Sequence, residues 1–329
     1  MLIITTGRQA VDIDGVACIY ALTYAYNLLG ISTWPIIEGE LASTVTHDIK
    51  ARLPRFADRL PDNFKDYQIG LVDVSDPKSL PSFAEINRIN FLIDHHVGYQ
   101  EYWEHTIGSR ARIEFIGSCA SQVWEEIKRL GISDKLDQLS YELLALGIIS
   151  NTLNFNATIT NHRDKAAYSQ IEKLIDKNVN GSDYIEKYYK TQQNIINNDV
   201  GLAAINDTKS IGSICISQLE VWKDLRLNDK DVSTIIGLMT EAYPEDTAYL
   251  INMVSIDKGY NRIYGNIKQL ESINEQLSGE IHVDHGGNPP HIKTDRLMLR
   301  KELYRILLKN KPSSVGRASE LVPQLSDPR

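Results

Sequence analysis

The sequence predicts an α/β protein: a larger unit built on a mostly parallel sheet, then a smaller α+β unit. Three observations carry this. Over the first 160 residues short β-rich runs alternate with helical patterns, the order that parallel strands with helical crossovers require. Acidic and imidazole residues follow directly on several of those runs, at the strand ends where open parallel sheets bind ligands. At 329 residues the chain exceeds one average domain, so two are expected, over 1–190 and 191–312, with a tail over 313–329.

In chain order, strands are predicted at Leu2–Thr6, Ser32–Ile37, Gln68–Val74, Ile89–Asp94 and Ala111–Ile116, where β-branched and other apolar residues cluster. Helices are predicted over Gly15–Leu29, closed by Gly30, over Ser121–Leu130, closed by Gly131, and over Ser140–Ile149. From Asp164 to about Asn198 the pattern is helical and polar, and Ser182–Val200 offers a connector where a hinge is expected. The second unit shows strands near Ser213–Glu220, Ala248–Ile256 and Tyr260–Ile267, with helices near Asp229–Tyr243 and Asp295–Lys309. Between them, His282 to His291 contains Gly-Gly and Pro-Pro and reads as a loop.

The composition narrows the class of function. A formal net charge of −8 disfavours broad electrostatic binding to a nucleic-acid backbone, though a local basic pocket could still hold phosphate. The three cysteines, Cys18, Cys119 and Cys215, are far apart and form neither a metal clip nor a disulfide framework, which points to a reducing cytoplasm. No apolar run approaches the roughly 20 residues that span a bilayer, so no membrane association is expected.

The chemistry concentrates in the first half. Strand one is followed by Gly7-Arg8-Gln9-Ala10-Val11-Asp12-Ile13-Asp14-Gly15, strand three by Asp73, and strand four ends in Asp94-His95-His96. Farther on, Asn151 closes an apolar helical run. Carboxylates and imidazoles converging at one sheet edge make a cage for Mn²⁺, Mg²⁺ or Co²⁺. Two such ions about 3.5–4 Å apart can share a carboxylate and clamp both oxygens of a phosphoryl transfer. One Asp at a strand end is ordinarily a turn or cap former. Adjacent His95 and His96 add no packing benefit, whereas both rings can serve a metal or a phosphate.

These residues resemble motifs one to three of the DHH phosphoesterases. Gly117-Ser118-Cys119-Ala120-Ser121 is similar to the segment after the DHH motif in family II inorganic pyrophosphatases and related exopolyphosphatases. The run from Gly147 to Asp164 resembles their fourth motif, and Leu299-Arg300-Lys301-Glu302-Leu303 their second-domain motif of DHHA2 type. The resemblance implies a DHH domain and a smaller DHHA2-like domain with the active site in the cleft between them. It implies Mn²⁺ (or Mg²⁺ or Co²⁺) held by Asp12, Asp14, Asp73, His95 and Asn151, with Asp73 the bridging ligand. His96 and Asp73 would act in catalysis, and Arg8, His96, Arg300 and Lys301 would bind substrate phosphate. The activity implied is hydrolysis of a phosphoanhydride, such as pyrophosphate or short polyphosphate, or of a nucleotide-like phosphate, in the cytoplasm, by a chain that could form a homodimer.

Two positions depart from the family pattern. Arg8 stands where a metal-binding His begins motif one, and Asn151 where an Asp ligand stands in motif four. A guanidinium cannot ligate a cation but can grip a phosphate, and an amide brings no charge. The site is therefore expected to hold a second ion weakly or to hold one only. These departures keep open a non-catalytic descendant that binds a phosphorylated metabolite or a partner protein. A DHHA1-like oligonucleotide phosphodiesterase is a third reading, carried by the His282–His291 segment.

Overall fold

A computed structural model describes residues 1–8, 11–60, 66–96, 98–176, 183–211, 213–277, 280–282 and 289–309. The chain divides into two compact units, one comprising Met1–Phe155 and Ile159–Ile185, the other running from Glu186 and including Asn156–Thr158.

The first unit is built on five parallel strands, β1 (Leu2–Thr5), β2 (Thr33–Ile36), β3 (Gln68–Val72), β4 (Ile89–Asp94) and β5 (Ala111–Ile113), in the order β2-β1-β3-β4-β5. Alternate residues of these strands serve opposite faces. Ile3, Ile69, Leu71 and Leu92 pack with Trp103 and Ile107 of α3 (Gln100–Ile107). On the other side lie α1 (Ile13–Leu28) against β1, β2 and β3, and α4 (Cys119–Arg129) against β4. Behind them pack α5 (Gln138–Asn151) and, against α5, α6 (His162–Glu172). Sandwiched in this way, α1 and α5 are buried around most of their circumference, so they read as nearly unbroken apolar runs. A short helix, α2 (His47–Lys50), sits in the long connection from β2 to β3.

The ends of α1 and α4 follow the sequence signals. Gly30 and Gly131 take the left-handed conformation, with φ of 77° and 72°. At the first, the Gly30 and Ile31 amides return to the Asn27 and Tyr26 carbonyls and close the helix. Strand five stops at Ile113 rather than Ile116, because Glu114 is drawn into a charge cluster beside α4 and α6. In that cluster Arg112 and Arg163 each bind both Glu114 and Glu125, with Arg163 Nη2 2.6 Å from Glu125 Oε2 and Arg112 Nε 2.7 Å from Glu114 Oε1.

The second unit opens with α7 (Tyr184–Asn198) and α8 (Val200–Asn206), so most of the expected connector is helix. Six strands follow: β6 (Thr208–Ile211), β7 (Ile214–Val221), β8 (Ala248–Ser255), β9 (Tyr260–Tyr264), β10 (Glu280–His282) and β11 (His291–Lys293), in the order β10-β11-β9-β8-β7-β6. Among the described residues of this sheet only β7 and β8 pair in parallel, joined by the crossover helix α9 (Asp229–Ala242). Val232, Ile235 and Met239 of α9 cover one face with Ala204 of α8. Leu270 and Ile273 of α10 (Ile267–Leu277), with Leu303, Tyr304 and Leu307 of α11 (Arg300–Lys309), cover the other.

Three expectations are corrected here. Strand β9 ends at Tyr264 and Ile267 starts a helix, the final helix begins at Arg300 rather than Asp295, and both flanks of the His282–His291 segment are strands. Residues 283–288 of that segment, and the tail from 310, lie outside the described residues.

The start of α11 is held by a buried amide network. Asn252 and Asn261, both fully buried, donate to the Met298 carbonyl, and Gln218 Oε1 accepts from the Arg300 amide at 2.6 Å.

The charge cluster at β5 sets an expectation for acid. Burial alone would raise the Glu114 and Glu125 carboxyls, but hydrogen bonds from Arg112 and Arg163 hold both below the usual range. Carboxyls depressed in this way contribute stability that is complete above their unfolded value of about 4.3 and is lost as pH falls through the folded one. Replacing Arg163 by Gln should lower the urea midpoint at neutral pH and flatten its decline below about pH 4.3. Urea titrations from pH 6 to pH 3 on both proteins test this.

Candidate metal centre

Strand order fixes where a site can form. From β1 the chain goes to β2 on one side and then to β3 on the other, so the β1 and β3 ends flank the point where the sheet changes direction. The loop after β1 delivers Asp12 as the N-cap of α1, its Oδ1 accepting from the Asp14 and Gly15 amides at 3.0 and 3.1 Å. Burial, and after it the charge of Asp14, raise the Asp12 carboxyl above its ordinary value. Directly after β3, Asp73 takes a left-handed backbone conformation with φ 55°, uncommon for a side chain with a Cβ, while its amide bonds Ile93 at 2.9 Å. Gly15 permits the close approach of α1: a Cβ there would lie 3.3 Å from Asp73 Oδ2.

Strand β4 ends in Asp94, and His95 and His96 follow it directly. His95 Nδ1 lies 3.1 Å from the Ile116 carbonyl, which can only accept, so Nδ1 carries the hydrogen. Nε2 then faces Asp73 Oδ1 at 3.4 Å and Asp14 Oδ2 at 4.0 Å. These three side chains are 8%, 9% and 0% exposed. A ring nitrogen with a lone pair, facing two carboxylates with so little water, is satisfied by a cation or a proton.

His96 stands beside it, its ring edge-on to His95 with centroids 4.4 Å apart. Its Nδ1 is 2.8 Å from Asp94 Oδ1 and 3.8 Å from Asp73 Oδ1. Burial would raise the Asp94 carboxyl, but its hydrogen bond to His96 holds it below the usual range. One ligand atom each from Asp73, His95 and His96 lies within 4.8 Å of the others. Nitrogen and carboxylate oxygen together suit a borderline divalent ion.

A second layer fixes these groups. Ser75 Oγ donates to the His96 carbonyl at 2.9 Å, Trp103 Nε1 to the Ser75 carbonyl at 2.6 Å, and Gln122 Nε2 to the Asp94 carbonyl at 2.7 Å. Asp14 is anchored at the N-terminus of α4. Its Oδ1 accepts from Ser118 Oγ at 3.1 Å and the Ala120 amide at 2.8 Å, and its Oδ2 from the Cys119 amide at 2.8 Å and from Asn151 Nδ2. The same segment reaches Asp164, whose carboxylate takes the Gly117 amide at 3.0 Å and the Ser121 hydroxyl at 2.6 Å.

The structure thus brings Asp12, Asp14, Asp73, His95, His96 and Asn151 to one end of the first sheet. Arg8 is exposed, and its Nη2 donates to the Lys78 carbonyl at 3.0 Å. In the second unit, Arg300 opens α11 with Nη2 2.7 Å from Asp207 Oδ1, and Lys301 follows it. Sequence reasoning singled out Gly117–Ser121 by resemblance but missed that Ser118, Cys119 and Ala120 donate to Asp14, and it missed Ser75, for which there was no signal.

No protein-family model matches the chain. A relative in Clostridium acetobutylicum, named "probable manganese-dependent inorganic pyrophosphatase", is 21% identical over 287 residues, 79% of this chain and 89% of its own. Among solved structures, one from Methanococcus jannaschii, provisionally named a family II inorganic pyrophosphatase, matches with a TM-score of 0.62 at 19% identity, covering 94% of this chain and 99% of its own. An exopolyphosphatase-related protein from Bacteroides fragilis matches with a TM-score of 0.47 at 12% identity, over 94% and 90%. The Methanococcus likeness shows that the chain shares a fold with that protein, as the sequence resemblance implies.

Removing a donor from Asp14 should be felt throughout the first unit. Ser118→Ala should lower stability by about 1.5–3 kcal/mol, as expected for a buried hydrogen bond to a charged group. Urea unfolding at neutral pH measures it, with Ser118→Thr retaining most of the stability.

Proposed function

We propose that this chain is a divalent-metal-dependent phosphohydrolase acting on pyrophosphate or a short polyphosphate, working in the cytoplasm. The observation that carries the reading is His95, whose Nδ1 is fixed by the Ile116 carbonyl so that Nε2 faces Asp73 and Asp14. The relative from Clostridium supports both the substrate and the choice of manganese through its name. Asp73 and His95 would hold the ion, with Asp12 and Asp14 supplying negative charge around it. Manganese, magnesium or cobalt bound there would stabilise negative charge on an attacking water and on the phosphate oxygens.

The chain's own groups do the remaining work. Asp94 holds the His96 Nδ1 hydrogen and so orients the ring, whose half-exposed side chain, when both nitrogens are protonated, can present the Nε2 proton to a phosphate oxygen. Arg8, which cannot be a ligand, is assigned to substrate phosphate, as are Arg300 and Lys301. For Arg300 this means exchanging Asp207 for a phosphate, a charge-for-charge replacement that keeps the guanidinium paired. The neutral amide at Asn151 favours a second reading, a protein that binds a phosphorylated metabolite without turning it over.

Phosphate release from pyrophosphate, tripolyphosphate and a dinucleotide, with Mn²⁺ or Mg²⁺ present, separates these readings. Release from the first two, abolished by chelator, is the expected result. Asp73→Ala should remove both metal binding and turnover while leaving the circular dichroism spectrum intact. Turnover that survives chelation would overturn the proposal, and metal-dependent binding of pyrophosphate without release would favour the second reading.

A further inference from the structure

Asn151 ends α5 at the position where the resemblance leads one to expect a carboxylate ligand, and the structure gives it another role. A carboxylate offers about four lone-pair directions. In Asp14 all are engaged, Oδ1 by Ser118 Oγ and the Ala120 amide, Oδ2 by the Cys119 amide and Asn151 Nδ2. Because a carboxylate only accepts and an amide nitrogen only donates, the partner dictates which end of the Asn151 side chain faces Asp14.

We propose that Asn151 is a clamp on Asp14 rather than a metal ligand, and that it makes this a single-ion centre. The inference rests on the reading of the site as one for a divalent ion. Asp14, fully buried, has its charge compensated by the aligned amides at the start of α4 and by one side-chain amide, with no cation needed. The ion takes Asp73 and His95, whose donor atoms are 3.4 Å apart, while Asp14 stays fastened to α4. An aspartate at position 151 would have no hydrogen to donate. It would set a second carboxylate against Asp14 Oδ2, and the buried pair would need a cation of its own. The choice of amide over carboxylate therefore decides two things together: how many ions the centre takes, and whether the first unit folds stably with none.

Manganese binding to the full-length chain after chelation and dialysis, together with thermal midpoints with and without Mn²⁺, tests this. The unaltered chain should bind one Mn²⁺ and stay folded in chelator, its midpoint rising on adding Mn²⁺ only by what a single bound ion supplies. Asn151→Asp should bind two, melt about 3 °C or more lower in chelator, and regain more than that on adding Mn²⁺. Asn151→Ala, which removes the donor without adding charge, should bind one and lack the enlarged response to Mn²⁺. No binding by the unaltered chain would overturn the metal reading of the site itself. Two ions in the unaltered chain, or one ion with Asn151→Asp unchanged in midpoint and response, would overturn the clamp. Should Asn151→Asp fold only with Mn²⁺ present, its unfolding on chelation meets the expectation, and the stoichiometry of the unaltered chain still decides the ion count.

Discussion

A carboxylate with no exposed surface, Asp14, is the constraint around which the first unit is arranged. An uncompensated charge in that position would be unaffordable, so the surrounding chain is shaped to supply hydrogen. The amides of Cys119 and Ala120 can reach it only if α4 begins there, which in turn fixes the turn through Gly117 and Ser118. That turn also hands the Gly117 amide to Asp164, and the Asn161–Asp164 capping box ties the start of α6 to the same place. Three helices and one sheet edge are thereby registered to a single acidic group in α1.

The imidazole side of the site depends on a different device, the sharp exits of β3 and β4. Asp73 leaves its strand in a backbone conformation that an L-residue seldom adopts, and the hydrogen bond its amide donates to the Ile93 carbonyl helps hold it there. His95 and His96 diverge from adjacent positions, one anchored by the Ile116 carbonyl and the other by Asp94. Buried backbone on one side and a buried carboxylate on the other give two chemically identical rings different surroundings.

Much of this was legible in the sequence because it follows from periodicity. The strands of the first unit and the residues directly after them could be read off apolar runs and their polar ends, and so could Asp12, Asp73 and Asp94-His95-His96. Helix α3 could not, since only Trp103 and Ile107 of its eight residues are buried and the rest is polar surface. Helix α10 was hidden for a related reason, lying close after a strand with just Gly265 and Asn266 between them. The atoms that bind Asp14 were illegible for a deeper reason: two are backbone amides, which every residue but proline carries, so no residue type announces them. Asn151 was visible as a departure, but whether its oxygen or its nitrogen faced inward is a matter of geometry.

In the second unit the buried amides of Asn252 and Asn261 meet on one carbonyl, that of Met298, two residues before Arg300. Apolar packing tolerates small slides, because one methyl substitutes well enough for another. A carbonyl gripped by two amides does not, and a shift of one residue would leave three polar groups stranded in a dry interior. The location of Arg300 at the start of α11 is therefore all-or-nothing rather than elastic, set by an address in the core. Drift of the neighbouring surface sequence can proceed without moving that cation.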